Sequence, residues 1–234
     1  MLLKWVQAFK KYVVGGFAGL LILLPFGHAV ASSEQQQLVD KAKLTVEALQ
    51  NQSEMEQFRK LLAVSKGVVI FPQFLKAGFI VGGAGGTGVL LARNKEGSWS
   101  SPAFYTMGQA SVGLQIGAEA KELVLLIMTD KGMDAIIKNQ VKLGGDLSAA
   151  VGPVGKNIGA SSTTNMDVDV FSFAKTAGLF IGASVEGSLL DAKDDWQEAY
   201  YGKPVTARNI VILRSVDSPA ASALKNALKA AEAP

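Results

Sequence analysis

Residues 65–91 read SKGVVIFPQFLKAGFIVGGAGGTGVLL. Val68, Val69, Ile70 and Phe71 are a run of strand formers that reads as a short buried strand, and Pro72 predicts its end. Residues 79–92 read as extended chain dense in glycine. Gly83, Gly85 and Gly88 satisfy G-x-G-x-x-G, but a dinucleotide loop must open a helix whose N-terminus meets the pyrophosphate. Here Val89, Leu90, Leu91 and Ala92 follow, then the turn residues Asn94, Lys95, Glu96 and Gly97. The segment therefore predicts one arm of a β-hairpin.

The same texture extends outward. Residues 99–106, 111–116, 123–128, 141–151, 166–174 and 178–186 are further strand candidates, interrupted by a short helix over 130–139. Asp167, Val168, Asp169, Val170 and Phe171 alternate polar and apolar, as a half-exposed strand does. Closely spaced strands with short turns predict antiparallel pairing in a curved sheet or barrel.

The two ends read differently. Leu38, Ala42, Val46 and Leu49 form one helical stripe, and Ser53 with Glu56 makes a capping box before Met55, Phe58, Leu61 and Leu62. This pair is either a helical hairpin packed on the domain or a surface element that meets a partner or a membrane. At the other end residues 191–200 predict a helix. Ser218-Pro219 then starts another over 220–231. The fold class is α+β: a curved, antiparallel β-rich core, barrel-like or a strongly bent sheet, with helices at both ends.

Glycines recur four apart at Gly78 and Gly82, Gly113 and Gly117, and Gly178 and Gly182. Even spacing puts each pair on one strand face, where the missing Cβ lets another backbone or a ligand approach. Tight bending with layer packing and a ligand groove are the two readings of that smoothness.

Composition narrows the chemistry. The chain has 234 residues, 23 basic, 20 acidic, one histidine and no cysteine. Lys4, Lys10 and Lys11 precede an apolar run that ends at Pro25 and Gly27, and Ala29-Val30-Ala31 has the small-x-small form a signal peptidase reads. The expectation is export to a periplasm with cleavage after Ala31. Residues 1–31 carry the whole net charge of +3 and the only histidine, His28. The processed chain would then lack imidazole and thiol, which excludes Ser-His-Asp triads, Cys/His zinc sites and disulfides. The organisation expected is a signal peptide at 1–31, a helical segment at 32–64, a β-rich core at 65–213 and a C-terminal helix at 214–234, with no cofactor.

Three constellations look chemical. Ser172 and Lys175 form S-x-x-K, but on a strand that spacing puts them on opposite faces, whereas the hydrolase pair needs a helix. Asp191, Asp194 and Asp195 beside Glu198 lack EF-hand spacing and suit a helix N-terminus. Arg59, Lys60, Lys66 and Lys76 form a basic stretch with no acid between Glu56 and Glu96, beside Phe71, Phe74, Leu75 and Phe79. Such a rim either solvates an ordinary core or meets an anionic bilayer, where each charge contributes about 1 kcal/mol.

The ordered phrases of this chain resemble the SYLF domain, also called the Ysc84-type or DUF500 domain. They are residues 65–91, 99–104 (WSSPAF), 113–117 (GLQIG), 143–146 (LGGD), 150–155 (AVGPVG), 178–182 (GLFIG) and Tyr201-Gly202. The resemblance spans about residues 38–213. It implies a non-enzymatic lipid-binding module: eukaryotic members bind phosphoinositides, and some bind and bundle actin filaments. The expectation for this chain is binding of anionic phospholipid at a membrane surface. Arg59, Lys60, Lys66 and Lys76 would meet phosphate head groups, and Phe74, Leu75 and Phe79 would insert. The alternative is a protein-interaction or scaffold module of the cell envelope. Nucleic acid is not an expected partner, since the basic balance belongs to the leader.

Overall fold

The computed structural model describes residues 33–50, 55–138, 140–153, 168–176 and 179–232, with the backbone alone at 78–81, 111–118 and 180. The expected leader, the capping Ser53 and Gly178 lie outside the described residues. Ser32–Pro234 is one compact unit that contains both hydrophobic cores. In chain order the elements are α1 (Glu34–Gln50), α2 (Glu56–Val64), β1 (Gly67–Ala92), β2 (Ala103–Ile127), α3 (Asp130–Lys138), β3 (Val141–Lys142) and β4 (Ala149–Val151). There follow β5 (Val170–Thr176), β6 (Leu179–Gly182), β7 (Leu189–Ala192), α4 (Asp194–Tyr201), α5 (Ala207–Val211), a 3-10 turn at Pro219–Ala221 and α6 (Ser222–Ala231).

β1 and β2 make one long antiparallel hairpin, in register from Gly67 opposite Ile127 to Leu90 opposite Ala103. Pro72 does not end the first strand. The register slips between Phe71 and Phe74 instead, and this irregularity accommodates the residue that has no N–H to donate. A second slip falls between Gly78 and Ile80. The segments that read as separate strands are therefore fused into two. Two of the glycine repeats face each other across the hairpin, Gly78 opposite Gly117 and Ile80 opposite Gly113.

The ribbon then returns on itself. Arg93 N donates to Lys66 O at 2.8 Å, joining the two ends of β1. A Cβ on Gly86 would lie 2.4 Å from Gln73 O, and one on Gly88 2.4 Å from Ile70 O. These contacts are backbone, so no side-chain rotation would relieve them. The glycine-rich segment is thus a close backbone approach within a hairpin arm, and it opens no helix.

The second edge of β2 is shared. Tyr105 to Gly108 pair with β7, and Glu122 to Ile127 pair with β5. β3 pairs with β7, while β4 and β6 pair with β5. The described strands form one seven-stranded, strongly curled sheet. One pairing departs from the antiparallel expectation: β4 runs parallel to β5. The chain between them, residues 152–169, is long enough for the crossover that parallel strands require. One boundary also moves. Asp191 and Ala192 belong to β7, so the helix starts at Asp194, with Asp194 and Asp195 in its first turn. The short α5 carries no clear periodic signal in the sequence.

Both faces of the sheet are covered, which is why residues 68–71 show no alternation. Val68, Ile70, Leu91, Phe104, Val124 and Leu126 point to one core, closed by α1, α2 and α6. Val69, Phe71, Leu90, Tyr105, Leu123 and Leu125 point to the other, closed by Met133 and Ile136 of α3 and Ile210 and Val211 of α5. Each large side chain fully buried this way contributes about 1.5–3 kcal/mol. Helix α4 is held to β2 by a mimic of strand pairing: the Gln197 amide accepts from Phe104 N at 2.8 Å and donates to Phe104 O at 2.9 Å. Trp196 and Tyr200 meet the Phe104 ring edge-on at 5.8 and 5.1 Å.

Candidate functional site: a basic tip with exposed aliphatic residues

Helix α2 ends where Ser65 turns extended, its Oγ donating to Leu62 O at 2.9 Å. This leaves Val64 66% exposed, with Lys66 just beyond it. Beside them lies the turn after α5. That helix buries Ile210 and Val211, and the chain then turns at Arg214, whose φ is +50°. The Arg214 guanidinium donates to Ser98 O at 2.6 Å in the β1–β2 loop. Held this way, Ile212 and Leu213 stay in solvent, 41% and 58% exposed.

Two hollows meet at Val64, each of ≈ 620 Å³. One is lined by Lys66, Lys95, Asp130, Ile212 and Arg214 among others, the second by Glu56, Arg59, Lys60, Ala63 and Glu232. The result is an exposed aliphatic tip whose rim interleaves Arg59, Lys60, Lys66, Lys95 and Arg214 with Glu56, Glu96, Asp130 and Glu232. Lys60 pairs with Glu56 at 2.6 Å and Lys66 with Asp130 at 3.2 Å. Exposed pairs of this kind contribute only about 0–1 kcal/mol, so a phosphate can take the place of the carboxylate at small cost. Lys95 is exposed and has no ion pair among the described residues. Arg93 and Trp99 are committed to structure: Arg93 Nη2 and Trp99 Nε1 donate to the Glu232 carboxylate at 2.9 and 2.7 Å.

The seven residues expected from the sequence do not assemble. Arg59, Lys60 and Lys66 line the two hollows at the tip. Lys76 lies ten residues beyond Lys66, roughly 33 Å along an extended strand. Leu75 is half-exposed beside it. Phe74 is corrected to a core residue. It is 1% exposed and meets Phe71 edge-on at 6.1 Å, because the bulge at Pro72 returns it to the Phe71 face. The Phe79 side chain lies outside the described residues. Sequence reasoning missed Val64, Ile212, Leu213 and Arg214. One signal was available: residues 210–213 are four large aliphatics in a row, and a single helix face cannot bury them all.

The remaining constellations are structural. Ser172 is fully buried, with Oγ 3.2 Å from Ala150 O and also hydrogen-bonded to Ala183 O. Lys175 pairs instead with Glu122 at 2.8 Å. Among the described residues no three His, Cys, Asp or Glu side chains converge in a metal-holding arrangement. Burial, reinforced by Asp194 and Asp191, pushes the Tyr105 phenol upward, and burial beside Tyr200 does the same to Tyr201. Both stay protonated and donate to backbone carbonyls, of Ile136 and Pro102 respectively. No described helix is long and apolar enough to cross a membrane.

A curled sheet closed by helices, with a cationic and aliphatic tip, has the form of a binding domain. Residues 108–231, just over half of the chain, match the family described as "Ysc84: Las17-binding protein actin regulator". The chain belongs to this Ysc84, or SYLF, family. It is 34% identical over 152 residues to the human "SH3 domain-containing YSC84-like protein 1", covering 64% of this chain and 44% of that protein. It is 34% identical over 172 residues to "Protein YSC84" of Saccharomyces cerevisiae, covering 72% of this chain and 36% of that one. "LAS seventeen-binding protein 3" of the same species is 33% identical over 172 residues, with 72% and 37% covered. The chain thus spans less than half the length of these relatives.

Proposed function

We propose that this chain is a non-enzymatic module that docks on anionic phospholipid surfaces through the tip formed by Val64, Ile212 and Leu213. Export to the periplasm, where the leader expected at residues 1–31 would direct it, would give it the envelope membranes as its surface. The observation that carries the reading is the exposure of Val64, Ile212 and Leu213 beside a rim in which Arg59, Lys60, Lys66, Arg93, Lys95 and Arg214 outnumber Glu56, Glu96, Asp130 and Glu232. Inserted aliphatics contribute about 0.8 kcal/mol per buried CH₂. Each cation adds about 1 kcal/mol near an anionic surface. Neither term suffices alone, and together they make binding dependent on both lipid charge and salt.

Vesicle co-sedimentation of residues 32–234 tests this. Phosphatidylglycerol vesicles should retain the protein and phosphatidylcholine vesicles should not, with retention falling as salt rises. Replacing Ile212 and Leu213 by serine should weaken binding by roughly tenfold or more. Retention that ignores both lipid charge and salt would refute the proposal.

A second reading has its own support. The family description and the name of one relative both speak of binding a protein, Las17. On that reading the same tip takes an acidic protein surface. A stoichiometric protein partner bound by Ile212 and Leu213, with anionic vesicles ignored, would favour it.

A further inference from the structure

Strand β6 lies at the margin of the sheet. It pairs with β5 from Gly182 opposite Phe173 to Leu179 opposite Thr176. Among the described residues no strand pairs with its other edge. Residues directly opposite one another share a sheet face. Ile181 stands opposite Ala174, so Leu179 and Ile181 lie on the face whose core α3 and α5 close. That cover stops short of them: Leu179 is 69% exposed and Ile181 51%. At the other end of β6 the strand abuts β4. Val151 is 54% exposed there, and a Cβ on Gly182 would lie 2.1 Å from its Cγ1.

Open sheet edges are ordinarily blunted by a charge, a proline or a bulge. Residues 176–185, TAGLFIGASV, contain no charge and no proline, and the β5–β6 register runs without a slip. The nearest cation, Lys175, is closed on Glu122 at 2.8 Å. The edge therefore offers unpaired backbone groups and aliphatic side chains with nothing to repel a second strand.

The segment is also complementary to itself. Gly178-Leu179-Phe180-Ile181-Gly182 reads glycine, aliphatic, phenylalanine, aliphatic, glycine in either direction. An antiparallel copy centred on Phe180 sets Leu179 of each chain against Ile181 of the other. The four aliphatic side chains then share one face, as cross-strand pairs require. A second copy brings no like charge to this edge, because the segment is neutral.

We infer that β6 is an interface between two copies of this chain, which pair their β6 edges antiparallel about Phe180 and so continue the curled sheet across a twofold axis. Four residues per strand make a small contact beside the roughly 1,200–2,000 Å² of a stable interface, so the dimer is reversible and concentration controls it. The contact shares no residue with the tip at Val64, Ile212 and Leu213.

Analytical ultracentrifugation of residues 32–234 tests the inference. The weight-average sedimentation coefficient should rise towards that of a dimer between about 5 and about 500 µM, and about 0.5 M salt should not reverse it, since no ion pair holds the contact. Ile181→Lys should weaken association by roughly tenfold or more, with circular dichroism unchanged, because it places an unpaired charge in an apolar contact. The chain has no cysteine. A mixture of Leu179→Cys and Ile181→Cys proteins should therefore form an interchain disulfide several-fold faster than either protein alone, since only the mixture sets two thiols opposite one another. The Ile212→Ser, Leu213→Ser variant should dimerise as the unaltered protein does, even where it loses vesicles. A protein that stays monomeric throughout would overturn the inference, whether residues 154–167 or a different protein covers the edge, and would leave the reading of the tip untouched. A dimer that survives Ile181→Lys, or that is lost in the Ile212, Leu213 variant, would place the interface elsewhere and overturn it as well. Equal cross-linking of the two cysteine proteins alone and mixed would overturn the pairing about Phe180.

Discussion

Asp169 shows how one polar residue can organise a buried junction. It is 3% exposed at the start of β5. Its carboxylate accepts from Thr129 Oγ1 at 2.6 Å, Ser148 N at 3.0 Å, Ser148 Oγ at 2.9 Å and Lys131 Nζ at 3.2 Å. Three separated segments meet on it: the turn into α3, the approach to β4 and the start of β5. Burial pushes its pKa up, but the donors from Thr129, Ser148 and Lys131 outweigh burial and hold it below the ordinary aspartate value. A carboxylate lowered in the folded state stabilises above its unfolded value of about 3.9, and that stability disappears as pH falls through the lower folded value. Asp169→Asn should therefore cost stability at pH 7, and its deficit should shrink below about pH 4. Urea unfolding at both pH values measures this, and a deficit that does not change with pH would contradict it. Asp169→Ala should cost about 2–4 kcal/mol at pH 7, because it strands several buried donors.

Among the elements, the β1–β2 ribbon carries the architecture. Its folding back depends on glycines at the crossing rather than on glycine in general. Gly88→Ala would place a methyl 2.4 Å from Ile70 O. The expected cost is about 1–3 kcal/mol of overpacking, read as a fall in the urea midpoint. Gly108 lies on the same hairpin, and a Cβ there meets nothing within 4 Å, so Gly108→Ala should stay within about 0.5 kcal/mol. Equal losses at the two positions would show that chain flexibility, not close approach, is what the ribbon needs. Much of this element was legible. The Val-Ile-Phe run, the glycine spacing and the turn at 94–97 are local signals, and they foretold an extended hairpin arm. The length of β1 was not legible, because proline reads as a terminator unless a register slip accommodates it. That slip also decides Phe74 and Leu75. Strand residues alternate faces, and an irregularity of this kind reassigns every side chain beyond it. No rule applied along the chain shows that Phe74 turns inward and Leu75 outward.

For the molecule as a whole, α6 ties distant parts together. Glu232, just beyond it, accepts from Arg93, Trp99 and Lys229, the first two in the β1–β2 loop. Gln36 and Gln50 of α1 donate to Ala220 O in the 3-10 turn before α6 and to Ala230 O near its end. Glu232→Ala should loosen the loop that borders the tip, lowering the melting temperature by several degrees and shifting Trp99 emission to longer wavelength as its ring gains water. Unchanged emission would mean that packing alone holds α6 in place.

The fold class and the helical ends could be read from the sequence, because periodicity and glycine spacing act between near neighbours. So could the cations at the α2–β1 junction, which adjoin in the chain. The tip as a surface could not. Ile212, Leu213 and Arg214 are remote in sequence from Val64 and Lys66, and only the packing of α5 against the sheet brings them alongside. A chain states which residues are apolar or charged, but which of them stay uncovered depends on how the whole surface closes.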